Sequence, residues 1–257
     1  MRFSINPKYL KTIIPAAGVL GALLRCILYL TGTDEKGLLV TGHWAHIGIW
    51  VLTAAVALLL SLGCFRLRGP ESYPDCYPAS FSGALGAFSA AVAFVLTAAP
   101  EWHSAMSPLD TAAAALSFGA GASLAYVGIC RFRGNPPGFF AHTIVCACFA
   151  LRMVCQYRVW SADPQLQDYC FYMAAHVCLM LTAYHLAAFD TGMGSHRALW
   201  FLGLASVYFC LLSLWNGTSP LLMLCCAVWV LTNLPELTVR PRRVRPVLRL
   251  DEDQEGA

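Results

Sequence analysis

Residues 146–160 read CACFALRMVCQYRVW. From Cys146 to Cys155 the stretch is apolar except at Arg152. Extended back to residue 138 it makes a run of about 20 residues, the length a helix needs to cross a hydrocarbon core of about 30 Å. A guanidinium near the middle of such a helix costs roughly 2.5–3.5 kcal/mol on insertion scales. Two readings account for it. Arg152 snorkels along its own stem to the nearer interface, or it faces a bundle interior or water-filled cavity.

The rest of the chain has the same character. Of its 257 residues, 58% are hydrophobic and 12% charged, and mean hydropathy is +0.60. So few charges cannot cover that much apolar surface in water, so the bilayer must act as the solvent. Eight apolar runs stand out, at 12–31, 43–64, 81–100, 111–130, 138–157, 169–189, 198–215 and 219–236. The last two are short, which leaves an odd span count open. The runs are continuous rather than alternating, so helices and not barrel strands are expected. The expected fold is all-α, a polytopic transmembrane bundle of eight spans forming one domain over residues 1–239.

Lysine and arginine orient it. Arg2, Lys8, Lys11, Arg66, Arg68, Arg131, Arg133 and Arg197 lie on one side, joined by the tail arginines from Arg240 onward. Lys36 and Arg158 lie on the other. This bias puts both termini in the cytoplasm. Residues 240–257 are basic, then acidic, with two prolines, and read as a disordered cytoplasmic tail whose arginines can attract anionic lipid. The first span is too long for a signal-peptide core.

A repeat is suggested by LLRCILY at residue 23 and ALRMVCQY at residue 150, and by the endings CFRLRGP and CRFRGNP. Two parallel four-helix halves would explain these pairs; so would the placement of basic residues after inward spans. The twelve cysteines show no C-x-x-C and no zinc spacing, and read as small packed hydrophobes. NGT at Asn216 matches a glycosylation acceptor.

The candidate site is built on Arg25 and Arg152, which lie at similar depths in spans one and five. Arg152 shares a helical face with Cys148, Cys155 and Gln156, and Arg25 shares one with Gly18, Gly21, Ala22 and Tyr29. His46, on a stripe with His43, Trp50 and Thr53, and His176, on a stripe with Tyr169 and Tyr172, are expected to line the same outer half. Nearer the cytoplasm, His142 and His185 fall at one depth on antiparallel helices and form a candidate polar pair. Glu101, Asp110, Asp168, Asp190 and Glu236 all lie at span ends, and proton and cation carriers usually hold acids deeper. Arginines and histidines without buried acids suit an anionic group. The small-residue run TAAAALSFGAGASLAY of span four points to close helix packing.

No nucleotide-binding glycine loop, nucleophile elbow or H-E-x-x-H occurs. Bis-histidine haem ligation by His142 and His185 and a lipid-modifying enzyme with a histidine base are weaker readings. The expectation is a protein that is not an enzyme, with no metal, no cofactor and no nucleic-acid partner. It would bind or move a small anionic or amphiphilic solute. The alternative is an accessory protein packed against a membrane partner or a second copy.

The segments LRMVCQYRVWSADPQLQDYCFYMAAH and LTAYHLAAFD resemble multi-span integral membrane proteins of anaerobic Gram-positive bacteria, a group with no known activity. The resemblance implies a bacterial plasma membrane and no function.

Overall fold

A computed structural model describes residues 7–32, 42–65, 67, 76–161, 169–215 and 219–235. The N-terminal Arg2, Lys36, Asn216 and the tail from residue 240, with its expected lipid contact, lie outside the described residues. Each apolar run is a helix. They are α1 (Pro7–Thr31), α2 (Trp44–Cys64), α3 (Phe81–Ser104), α4 (Pro108–Arg133), α5 (Phe139–Trp160), α6 (Cys170–Asp190), α7 (His196–Leu212) and α8 (Pro220–Thr232). Among the described residues there is no strand. Helices α1 to α6 are long and apolar enough to cross a membrane, whereas α7 and α8 are shorter. Their outward residues, such as Ile47, Val51, Leu58 and Leu62 on α2, are large, apolar and exposed, as lipid-facing positions are.

Local chemistry sets the ends. Ser107 caps α4: its Oγ accepts from the Asp110 amide at 3.2 Å and donates to Asp110 Oδ2 at 2.6 Å. Pro108 follows in the first turn, where its missing N–H costs nothing. Gly134 stops α4 in the left-handed region at φ +74°, and its N–H bonds the Cys130 carbonyl.

Helices α3 to α8 form a closed ring. Each packs on its chain neighbour, and α8 returns to pack on α3. The α1–α2 hairpin lies outside this ring and packs on α7. Two buried clusters follow this division, one within the ring and one between the hairpin and α7. Small residues allow the close approaches. A Cβ on Gly121 would lie 3.1 Å from the Ala91 carbonyl oxygen, so α3 and α4 meet backbone to backbone. A Cβ on Gly18 or Gly21 would meet Leu211 or Leu212 at 2.8 or 2.7 Å, so this face of α1 packs on α7.

The ring is tied shut by a residue that the sequence reading assigns to a loop. Arg131 lies in the last turn of α4 and is buried. Its Nε donates to Asn233 Oδ1 at 2.9 Å and its Nη1 to the Pro78 carbonyl at 3.2 Å, with the guanidinium 4.7 Å from the Tyr77 ring centre. Asn233 Nδ2 donates in turn to the carbonyls of Gly83 and Trp229. Three helices, α3, α4 and α8, thus meet at one satisfied polar node.

The packing does not follow a four-helix period. Helix α6 packs along α7, whereas α2 and α3, their counterparts in a 4+4 repeat, make at most marginal contact among the described residues.

Candidate functional site

Arg152 lies eight residues before the end of α5, about 12 Å along the axis at 1.5 Å per residue. Glu101 lies three residues before the end of α3, about 4.5 Å by the same rise. Helices α3 and α5 end on the same face of the bundle, because α4 runs between them in the opposite sense. The arginine stem climbs the difference, and its head stays inside the protein.

There the guanidinium makes a two-pronged ion pair. Nη1 donates to Glu101 Oε2 at 2.7 Å and Nη2 to Glu101 Oε1 at 2.6 Å, the fork-to-fork geometry of a strong charge-assisted pair. Nη1 also donates to Ser117 Oγ at 2.9 Å. Ser117 donates to the Ala113 carbonyl at 2.8 Å and touches Cys148 Sγ at 3.5 Å. A polar chain thus runs from Glu101 into the ring core. The two ends of the ion pair differ sharply in exposure: the Arg152 side chain is 2% exposed and that of Glu101 34%.

The pair lies in a cleft of about 190 Å³ lined by Glu101, Ser104, Asp110, Arg152, Cys155 and Gln156, with Ala105, Ala113 and Val159 as apolar walls. The face assigned to Arg152 by helical spacing is the face found. Cys155 and Gln156 line the cleft, and Cys148 reaches Ser117.

The other expected residues are placed differently. Arg25 is buried against α7, where Nη1 donates to the Leu212 carbonyl at 3.3 Å. That carbonyl is at the C-terminus of α7, where a cation is favoured. The Arg25 head also lies 5.2 Å from the Phe171 ring centre and 6.0 Å from that of Tyr29. His46 accepts from Trp50 Nε1 at 3.1 Å on α2, outside the ring. His176 is buried on α6, donates from Nδ1 to the Tyr172 carbonyl at 3.0 Å, and stands edge-on to Phe149, one turn from Arg152. The structure therefore brings Arg152 and His176 to adjoining turns and separates both from His46, while Arg25 belongs to the hairpin interface. The four do not line one cavity.

His142 and His185 do not pair. His142 Nδ1 donates to Asp190 Oδ2 at 3.1 Å, and both side chains are buried. Asp190 and His185 are about 140° apart on α6 at 100° per residue. Turning Asp190 toward α5 turns His185 away, and it packs beside Tyr184.

The inference that the bundle lacks acids is thus corrected. Glu101 and Asp190 are at helix ends, but both turn inward, one to Arg152 and the other to His142. Glu101 lies one residue past the apolar run, which stops at Pro100. Helix α3 continues to Ser104, since a proline late in a helix removes one hydrogen bond without ending the last turn. The S-x-x-D cap at Ser107 was the available signal. It fixes where α4 begins and leaves residues 101–104 free to extend α3.

Among the described residues, no group of three or more histidines, cysteines, aspartates and glutamates could hold a metal, and all the cysteines described are free thiols. Set against protein-family models, curated proteins and solved structures, the chain matches none of them, and the resemblance to proteins of anaerobic Gram-positive bacteria gains no support.

Proposed function

We propose that this chain is an integral plasma-membrane protein of eight crossings with both termini in the cytoplasm, and that it binds a small amphiphilic solute with an anionic head at the Arg152 cleft. The observation that carries this reading is the uneven ion pair. A fully buried guanidinium is neutralised by a carboxylate that is one-third exposed in an open cleft. Charged side chains within spans are costly and mark binding sites and pathways. The mixed walls, with alanines and Val159 beside Gln156 and Ser104, suit a head with a short apolar part.

The test is a thermal-unfolding scan of detergent-purified wild type and Arg152→Gln against amphiphiles with anionic, cationic and neutral heads. An anionic member is expected to raise the wild-type midpoint and leave that of the variant unchanged. Equal shifts in both proteins, or none in wild type, would remove Arg152 from the function.

A second reading is favoured by one feature. The α1–α2 hairpin packs on α7 outside the ring, and α2 exposes Ile47, Val51, Leu58 and Leu62. That arrangement suits an accessory protein which lays α2 against a membrane partner. Native mass spectrometry from mild detergent tests it: release as a lone monomer counts against a stable partner.

A further inference from the structure

The geometry points to Arg152 as a receptor for a carboxylate group, occupied in this structure by the chain's own Glu101 and open to a free carboxylate when Glu101 leaves. This rests on the cleft being a binding site and specifies the chemistry of its ligand.

Three observations carry it. First, the contacts made by Arg152 are shaped for a planar two-oxygen anion. Both Nη atoms point at separate oxygens of one carboxylate, at 2.7 and 2.6 Å. A fork of this kind selects a carboxylate over a spherical anion such as chloride. Second, only the arginine end is fixed. Its third bond, to Ser117, anchors the guanidinium in the ring core at 2.9 Å, and its side chain is 2% exposed. Glu101 is 34% exposed and belongs to the last turn of α3, directly after Pro100. Proline removes the amide that would tie this turn to the carbonyl four residues earlier. The turn stays helical to Ser104, whose Oγ bonds the Pro100 carbonyl at 2.9 Å, so Glu101 leaves by rotating its own partly exposed side chain into the open cleft, where it ends hydrated. Third, the cleft has room beside the pair. Its volume of about 190 Å³ is below the ~300–1,000 Å³ of sites for drug-sized ligands. It accepts a carboxylate head and a few carbons along Ala105, Ala113 and Val159.

The exchange conserves charge at the arginine, since one carboxylate replaces another. Asp110, the remaining acid of the cleft, is held at the α4 N-terminus by Ser107, where the helix dipole offsets part of its charge. Two sources offer this ligand chemistry: a short water-soluble carboxylate, or a fatty acid whose head enters from the membrane and whose chain stays in lipid.

The experiment is chemical rescue. Glu101→Ala is purified and its thermal midpoint followed with acetate, butyrate, octanoate, methylammonium or chloride at matched ionic strength. A tethered carboxylate competes at an effective concentration in the millimolar range, so its removal tightens by about tenfold the binding of a free carboxylate whose intrinsic Kd is about a tenth of that concentration. Carboxylates are expected to raise the midpoint and the others to leave it unchanged. Glu101→Ala/Arg152→Met should respond to none. A response to acetate as large as to octanoate assigns the site to soluble carboxylates, and one confined to octanoate assigns it to fatty acids. Should the alanine variant fail to fold, Glu101→Gln keeps the side-chain volume and is read by carboxylate protection of Cys155, which lines the cleft, against alkylation. No carboxylate response in a folded Glu101 variant, or an equal one without Arg152, overturns the inference. If Glu101→Ala is rescued while wild type responds to no solute, the receptor stands and the proposed function fails. If wild type binds a solute and rescue is absent, the cleft stands and its carboxylate chemistry fails.

Discussion

Replacing Glu101 by glutamine should destabilise the protein more than replacing Arg152 by methionine, although the two residues share the same two hydrogen bonds. The reason is the difference in burial, 34% exposure against 2%. Glutamine offers one acceptor oxygen and turns an amide NH₂ toward the second Nη, leaving a buried guanidinium without a counter-charge. Removing one partner of a buried pair costs about 3–5 kcal/mol. Water at the open cleft relieves part of this, so about 2–3 kcal/mol is expected for Glu101→Gln. Arg152→Met removes the charge and keeps the apolar stem. Glu101 then hydrates, and Ser117 keeps its bond to the Ala113 carbonyl. The expected cost is about 0–1 kcal/mol. The double variant should match Arg152→Met to within about 0.5 kcal/mol, giving a large coupling term in the cycle. The assay is reversible unfolding in mixed micelles titrated with sodium dodecyl sulfate, with all four proteins on one plate. An Arg152→Met cost equal to or above that of Glu101→Gln would refute the reasoning, since the arginine would then contribute stability of its own rather than a charge needing neutralisation.

Three other outcomes are expected. Asn233→Leu strands Arg131 Nε and removes the second bond to the Gly83 carbonyl and should cost about 1–3 kcal/mol in the same titration. Gly83→Ala would place a methyl 3.0 Å from Arg131 Nε and 3.2 Å from Asn233 Oδ1; about 1–3 kcal/mol is expected, less than additive with Asn233→Leu because both open one node. In native micelles a small polar maleimide should modify Cys155, which lines the cleft, and spare the buried Cys148, Cys210 and Cys226, as read by peptide mass spectrometry.

The helices were legible because length and apolar continuity suffice to find them, and each of the eight runs appears. The face of Arg152 was legible too, since the spacing of Cys148, Cys155 and Gln156 is a local property of α5. Its partner was not. Glu101 is 51 residues away, and nothing within either helix encodes which helices become neighbours. Asp190 was hidden for a related reason: the rotation of α6 decides whether Asp190 or His185 faces α5, and α6 carries buried residues over much of its surface. Arg131 was assigned to a loop because the apolar run stops before it, while the helix continues through the cap at Gly134. In all three cases a charged residue just beyond the apolar run belongs to the bundle.

The return of α8 onto α3 also has a consequence in time. At ~5–20 residues per second of synthesis, α8 leaves the ribosome roughly 6–25 s after α3 is complete. Once α4 is complete, about 1.5–6 s into that interval, α3 and α4 can pair through their alanine and glycine stripes, but Arg131 has no Asn233 and the other flank of α3 is bare. Until α8 arrives Arg131 keeps the Pro78 carbonyl and the Tyr77 ring but lacks a partner for Nε, and a premature stop anywhere before residue 233 would make that condition permanent. Docking of α8 is thus the step that closes the ring begun by α3.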